Sequence, residues 1–191
     1  EAAPLLAYED WWDFASKSCG KPVDSVEVRI DSDDPVNKVG EIQAKGVSLM
    51  SGYYKNEEAT KAAFTEDGWM RTGDLGVMDA SGNIFIRGRS KNMILSANGQ
   101  NIYPEEIEAV VNNQPYVIES VVIARGTKIV ALAYTDADKM KEEAVDIELY
   151  KTTLMAEVNK SMPVYSKVNL VEIMDKPFEK TPKMSIKRFL Y

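Results

Sequence analysis

Residues 88–108 separate two textures of sequence. Upstream, apolar residues come in short runs broken by Gly and Asp. Val26, Val28 and Ile30 alternate with polar neighbours, the period-two signature of a strand. Further strands are expected at residues 40–46, from Trp69 toward Val77, and at 84–87 beyond a hairpin loop at 79–83. A single short helix is expected at 57–64, where Asn56 can cap alanine-rich residues. Downstream the elements lengthen. Residues 93–95 read as a strand closed by Asn98 and Gly99. Pro104 suits the first turn of a helix, Glu105 and Glu106 complement its positive end, and Ile107, Val110 and Val111 share one side. Residues 117–124 and 128–135 form an expected hairpin across Arg125, Gly126 and Thr127. Asp146 then caps a long helix with Ile147, Tyr150, Leu154 and Val158 on one face. Pro163 ends that helix, and a last strand covers 168–173.

The expected fold class is therefore α+β. Residues 1–90 form a β-rich part with a small barrel or distorted sheet, and 91–191 form a compact α+β domain, an antiparallel sheet with helices. The opening residues carry no strand or helix signal, so the chain reads as the middle of something longer. Trp11, Trp12 and Phe14 form an aromatic cluster in need of packing partners.

Composition removes some functions. The chain holds no histidine, which excludes His-based acid–base chemistry and His–metal sites. Cys19 is the single cysteine, so no intrachain disulfide forms and a reducing compartment is expected. A net charge of −7 argues against nucleic acid as a partner. Residues 160–191 run the other way, with six lysines and one arginine against three acids, a net of +4. That tail is either a solvated face or a surface for an anion. No apolar run is long enough to span a bilayer, and the start lacks a signal-peptide layout, so a cytoplasmic location is expected, with peripheral membrane association left open.

Two polar knots carry candidate chemistry. In Arg71-Thr72-Gly73-Asp74 the aspartate can present two oxygens to adjacent hydroxyls such as a ribose diol, or pair with Arg71, or cap a turn. Fifteen residues on come Gly88-Arg89-Ser90-Lys91, then the Asn98-Gly99 turn and Tyr103-Pro104-Glu105-Glu106. Taken singly, Arg89 is a surface arginine, Lys91 a linker lysine and Gly99 a turn residue with access to positive φ.

In this order and spacing the motifs resemble the adenylate-forming ligases: acyl-CoA synthetases, luciferases and peptide-synthetase adenylation domains. The resemblance spans essentially the whole chain. It implies that residues 1–90 are the end of the large adenylation domain and 91–191 a mobile C-terminal lid. Asp74 would then bind the ribose hydroxyls of ATP, and Arg89 would contact its ribose or a phosphate. Lys91 would be the hinge about which the lid turns between two half-reactions, and Gly99 would lie on the loop that meets the pantetheine arm of coenzyme A. Gly20-Lys21-Pro22 matches a further family motif, and Glu1 falls where the family glutamate ligates Mg²⁺. The family's phosphate-binding loop and acyl pocket lie upstream, so this piece alone is expected not to turn over.

The sequence departs from the family at one position. Its C-terminal motif has a lysine just before an Ile, serving adenylation; here Lys180-Thr181-Pro182-Lys183-Met184-Ser185-Ile186 puts Ser185 there. Lys183 is the expected substitute, on the ground that two residues are one strand repeat. Lys187, or weak adenylation, are the alternatives. The form of residues 88–108 favours a long-chain fatty acyl-CoA synthetase, joining a carboxylic acid to coenzyme A with ATP and Mg²⁺. The rivals are an acyl-carrier-protein ligase, another adenylating enzyme, or a non-catalytic relative that binds nucleotide or a partner.

Overall fold

The computed structural model describes residues 1–96 and 98–191. The chain separates into two compact units, Glu1–Lys91 and Asn92–Tyr191.

In the first unit, β1 (Ala7–Tyr8) pairs with β2 (Lys21–Pro22), followed by β3 (Val26–Asp31), β4 (Gly40–Gly46), α1 (Glu57–Ala63), β5 (Met70–Met78) and β6 (Ile84–Arg89). The four longer strands form an antiparallel meander in the order β3-β4-β5-β6. It is an open sheet with β3 and β6 at its edges and register shifts in two of its pairings, so of the two expected forms it is the distorted sheet and not the small barrel. Ile30, Ile42 and Ile84 form its core. Gln43 is fully buried on β4 and is satisfied on both sides: Arg29 Nε donates to its Oε1 at 2.8 Å, and its Nε2 donates to Asp31 at 3.1 Å. Asn56 caps α1 as expected, accepting from Ala59 N at 3.0 Å. Trp11, Trp12 and Phe14 are exposed, with the two indole rings 4.5 Å apart.

The second unit opens with a short ladder of β7 (Ile94–Leu95) and β8 (Asn101–Ile102). It continues with α2 (Pro104–Val111), β9 (Val117–Arg125), β10 (Lys128–Thr135), α3 (Ala137–Glu142), α4 (Ile147–Lys160) and β11 (Leu170–Met174). The main sheet has the order β11-β10-β9. Its central strand is covered on both faces, which is why residues 129–133 read as an unbroken apolar run. Ile107 and Val111 of α2 with Leu154 and Val158 of α4 close one side, packing on Ile129 and Ala131; Phe178 with Val121 and Leu132 closes another. Asp146 caps α4 as expected. β9 and β10 are antiparallel, but β11 joins β10 in parallel. The wholly antiparallel sheet is corrected at this edge: α3 and α4 together act as a crossover that carries the chain back to the end where β10 began. Among the described residues no helix is long and apolar enough to cross a membrane.

Candidate functional site

The Arg71–Asp74 knot lies inside β5 and interrupts its ladder. Between the pairs Gln43–Arg71 and Glu41–Leu75, β4 advances by two residues and β5 by four. The extra residues bow out as a bulge, the usual way for a strand to re-aim a side chain. Gly73 supplies the left-handed backbone this needs, at φ +73°. Thr72 ties the bulge down: its hydroxyl donates to Ile42 O at 2.6 Å and accepts from Asp74 N at 3.1 Å. Arg71 pairs with Glu41 at 2.9 Å, and Gly73 N donates to the same carboxylate at 3.3 Å.

Asp74 is thereby placed opposite Arg89, its cross-strand partner on β6. Arg89 Nε meets Asp74 Oδ1 at 2.8 Å. The two residues to which the sequence assigns nucleotide contacts are brought into direct contact, and Arg71, the partner considered for Asp74, is engaged by Glu41 instead. The Asp74 side chain is 29% exposed and that of Arg89 52%, so the pair sits at the surface. A carboxylate held in place by one guanidinium bond is oriented before any hydroxyl arrives, and it can accept charge-assisted bonds from a vicinal diol.

Glu1 also belongs to this unit. Its carbonyl accepts from Met50 N at 2.7 Å, and the Tyr53 hydroxyl donates to its carboxylate. Among the described residues no group of three or more Asp, Glu, Cys or His is arranged to hold a metal. A single exposed carboxylate still fits Mg²⁺, which takes one or two protein ligands when phosphates supply others. Lys91 is exposed in a short 3-10 turn, Ser90–Asn92, and is the last residue of the first unit.

In the second unit Gly99 closes the turn between β7 and β8. Its N–H donates to Ser96 O at 2.9 Å, and Gln100 N donates to Ser96 Oγ at 2.9 Å. Gly99 has φ +75°, and a Cβ there would meet nothing within 4 Å. The demand for glycine is thus conformational, not steric. A cavity of about 280 Å³ lies beside this turn, lined by Leu95, Ser96, Asn98, Tyr165 and Lys167 among others.

Lys183 and Ser185 lie on a tight hairpin. Met184 N donates to Thr181 O at 2.9 Å, Thr181 N donates to Ser185 O at 2.8 Å, and Met184 takes φ +62°. Residues 182–184 are therefore a turn. The strand repeat that would return Lys183 to the face of Ser185 does not exist here, and that part of the sequence argument is corrected. Lys183 is exposed on the turn, whereas Lys187 is paired with Glu179 at 3.2 Å.

Sequence reasoning missed one arrangement. Arg188 forms a two-pronged ion pair with Glu108 of α2: Nη1 donates to Oε1 at 2.6 Å, and Nη2 bonds to Oε2. Glu108 is 7% exposed, and its Oε1 also accepts from Val122 N of β9 at 2.6 Å. Burial pushes the Glu108 carboxyl above its ordinary range, opposed by the bonds from Arg188 and Val122. Burial alone would lower Arg188, but the bond and charge of Glu108 outweigh it and leave it raised. The available signal was the helix stripe: Pro104, Ile107, Glu108 and Val111 share the buried face, and one of them is an acid.

Comparison with known proteins places this architecture. The family described as AMP-binding enzyme C-terminal domain matches residues 91–190. A sulfoacetate–CoA ligase of Cupriavidus necator is 46% identical over 102 residues, 51% of this chain and 20% of the relative. A long-chain-fatty-acid–CoA ligase of Escherichia coli O6:H1 is 33% identical over 195 residues, 100% of this chain and 33% of the relative. The chain thus spans a fifth to a third of the length of these relatives. Among solved structures, O-succinylbenzoate coenzyme A synthetase of Bacillus subtilis with AMP superposes at a TM-score of 0.78 with 27% identity, over 91% of this chain and 34% of that one. The same synthetase has been solved with ATP and a magnesium ion. The chain belongs to the AMP-binding enzyme C-terminal domain family, within the adenylate-forming ligases.

Proposed function

We propose that this chain is the C-terminal part of an ATP-dependent, AMP-forming acyl-CoA ligase, with a fatty acid as the acyl substrate. Residues 1–90 would end the adenylation domain and 91–191 would be its lid, turning at Lys91. The observation that carries the reading is the Asp74–Arg89 pair on the bulged strand, in a chain whose second unit matches the family along its length.

In the first step a carboxylate oxygen attacks the α-phosphorus of ATP. An acyl–phosphate bond forms, and the bond to pyrophosphate breaks. In the second step the sulfur of coenzyme A attacks the acyl carbon, its proton is lost to solvent, and AMP leaves. Asp74 holds the ribose hydroxyls and Arg89 keeps Asp74 oriented while adding positive charge near the nucleotide. Glu1 would supply a carboxylate to Mg²⁺, which when bound neutralises phosphate charge. Lys183 brings a cation on the C-terminal hairpin to the anions that must meet in the first step. Gly99 leaves its turn without a side chain where the thiol arm approaches.

The fatty-acid assignment is supported by the alignment with the Escherichia coli relative, which covers the whole of this chain and a third of that protein. Relatives acting on sulfoacetate and succinylbenzoate define the competing substrates. The test is ATP–pyrophosphate exchange by the full-length protein with octanoate, hexadecanoate, sulfoacetate and O-succinylbenzoate in parallel. Exchange greatest with hexadecanoate is expected. Preference for a short or aromatic acid would overturn the fatty-acid assignment. Absence of exchange with every acid would favour a non-catalytic nucleotide-binding protein, a reading that the uncharged Ser185 supports.

A further inference from the structure

The hairpin bearing Lys183 and Ser185 is fastened at both feet, and both fastenings end on β9. At the upstream foot, Phe178 N donates to Glu119 Oε1 at 3.1 Å and Lys180 Nζ meets Glu119 Oε2 at 2.5 Å. At the downstream foot, Arg188 grips Glu108, which in turn accepts the Val122 amide. Glu119 and Val122 both belong to β9. The rings of Phe178 and Tyr191 stack edge to face at 5.1 Å, and Tyr191 Oη accepts from Glu179 N at 2.9 Å, closing the segment on itself. Between the feet the hairpin is held by its own bonds, among them Thr181 N to Ser185 O and Lys187 N to Glu179 O, both 2.8 Å.

The feet differ in strength. The side chains of Lys180 and Glu119 are 31% and 16% exposed, whereas those of Arg188 and Glu108 are 24% and 9% exposed and engage in parallel, two bonds in a fixed plane. A buried two-pronged pair sets direction as well as distance. Removing Arg188 therefore loosens the downstream strand of the hairpin, leaving it held by Ile186 and Tyr191 against Phe178 and by the bond from Lys187 N to Glu179 O. The bonds that close the turn between β7 and β8 join Ser96 to Gly99 and Gln100 and involve neither Arg188 nor Glu108, so the same change leaves those bonds in place.

The geometry points to Arg188 as a positioning residue for the adenylation half-reaction: through Glu108 it fixes on β9 the hairpin that presents Lys183, without a part in thioester formation. This rests on the ligase reading above. An ordinary C-terminal fastener would support both half-reactions equally.

The experiment uses the full-length protein with Arg188→Met, Arg188→Lys and the pair Glu108→Gln with Arg188→Met. The paired change removes the buried Glu108 charge together with its partner's, and its amide oxygen still serves Val122, which limits simple unfolding; Glu105, 3.8 Å from Arg188, loses that cation but keeps its bond from Asn92. Two half-reactions are read separately: ATP–pyrophosphate exchange with hexadecanoate, and conversion of supplied hexadecanoyl-adenylate to thioester by coenzyme A. Misplacing a catalytic group by about 1 Å costs on the order of a hundredfold in rate, so exchange is expected to fall by roughly ten- to a hundredfold in kcat with the KM for ATP within about twofold. Thioester formation should stay within about twofold, and Arg188→Lys should recover part of the exchange. Equal loss in both half-reactions, or no loss in exchange, overturns the assignment. A wild-type protein silent in both assays would be a failure of the ligase reading, and amide hydrogen exchange then decides the positioning claim. Protection lost across 179–187 but kept in β9 and β10 supports it; unchanged protection across 179–187 overturns it.

Discussion

Replacing Asp74 by alanine separates a structural role from a nucleotide role by magnitude. In the structure Asp74 makes a cross-strand pair with Arg89 in which the arginine is half exposed. Exposed pairs of this kind contribute about 0.2–1 kcal/mol, so loss of this pair should cost the fold about that much and move Tm by a few degrees. The bulge itself is held by Thr72 and Gly73, with Asp74 contributing its backbone amide, which alanine retains. Against that, a carboxylate accepting two ribose hydroxyls forms two charge-assisted bonds at about 1.5–3 kcal/mol each. Their loss weakens ATP by about 3–6 kcal/mol, and even the lower bound is more than a hundredfold. The two effects differ enough to be read apart. Calorimetric titration of ATP into the full-length protein, beside thermal unfolding of the same samples, gives both numbers. Asp74→Ala should abolish measurable binding while unfolding remains near wild type, and Arg89→Ala should weaken binding less. The ribose role would be refuted by ATP affinity within about threefold of wild type.

Three further outcomes are expected. Gly99→Ala strains a backbone at φ +75° without a clash, so thioester formation from a supplied acyl-adenylate should fall severalfold while pyrophosphate exchange is retained. Ser185→Lys places a cation where the family has one and should raise pyrophosphate exchange by about tenfold or more, with unfolding unchanged, measured on the full-length protein. Asp67, bonded by Arg29 and Thr65, is held down from 3.8 to about 2, while Arg29 itself stacks 4.5 Å over Trp69. A carboxylate lowered in the folded state stabilises it above pH 3.8 and loses that contribution as pH falls through about 2, so its NMR titration should be centred near 2 and return toward 3.8 in Arg29→Ala.

Periodicity and caps made most of the larger elements legible, and each miss has a physical cause. Asn56 and Asp146 cap the helices they were expected to cap because the signal is local: a short side chain bonding an amide three residues on. Helix α3 was missed because it has six residues and buries only Met140, too little for a helical period to show. β8 was missed for the same reason, with two residues of which only Ile102 is buried. The parallel edge was invisible because a strand's sequence does not encode its partner's direction; only the long helical connection between β10 and β11 bears on it. At the site, Asp74 and Arg89 were each legible as motif residues, but their mutual contact was not. It depends on the β5–β6 register, which shifts between Leu75 and Gly76 where β6 carries one extra residue, an irregularity separate from the bulge against β4. Glu108 was hidden differently. Three glutamates in four residues at a helix start read as a dipole feature, and only the stripe through Ile107 and Val111 distinguishes the buried one.

Ser185 is where fold and chemistry part company. The hairpin uses this residue through its backbone: its carbonyl accepts from Thr181 N at 2.8 Å, and its amide donates to Thr181 Oγ1 at 3.3 Å. The side chain is exposed, and any L-residue except proline could make the same two bonds. The neighbouring Met184 carries the unusual backbone angle, so no conformational demand falls on position 185 either. Packing, hydrogen bonding and backbone geometry all permit a lysine there, yet the charge is absent. Nothing in the fold calls for serine. Lys183, two residues away and exposed on the turn, is the cation that the proposed function assigns to the tip of the hairpin.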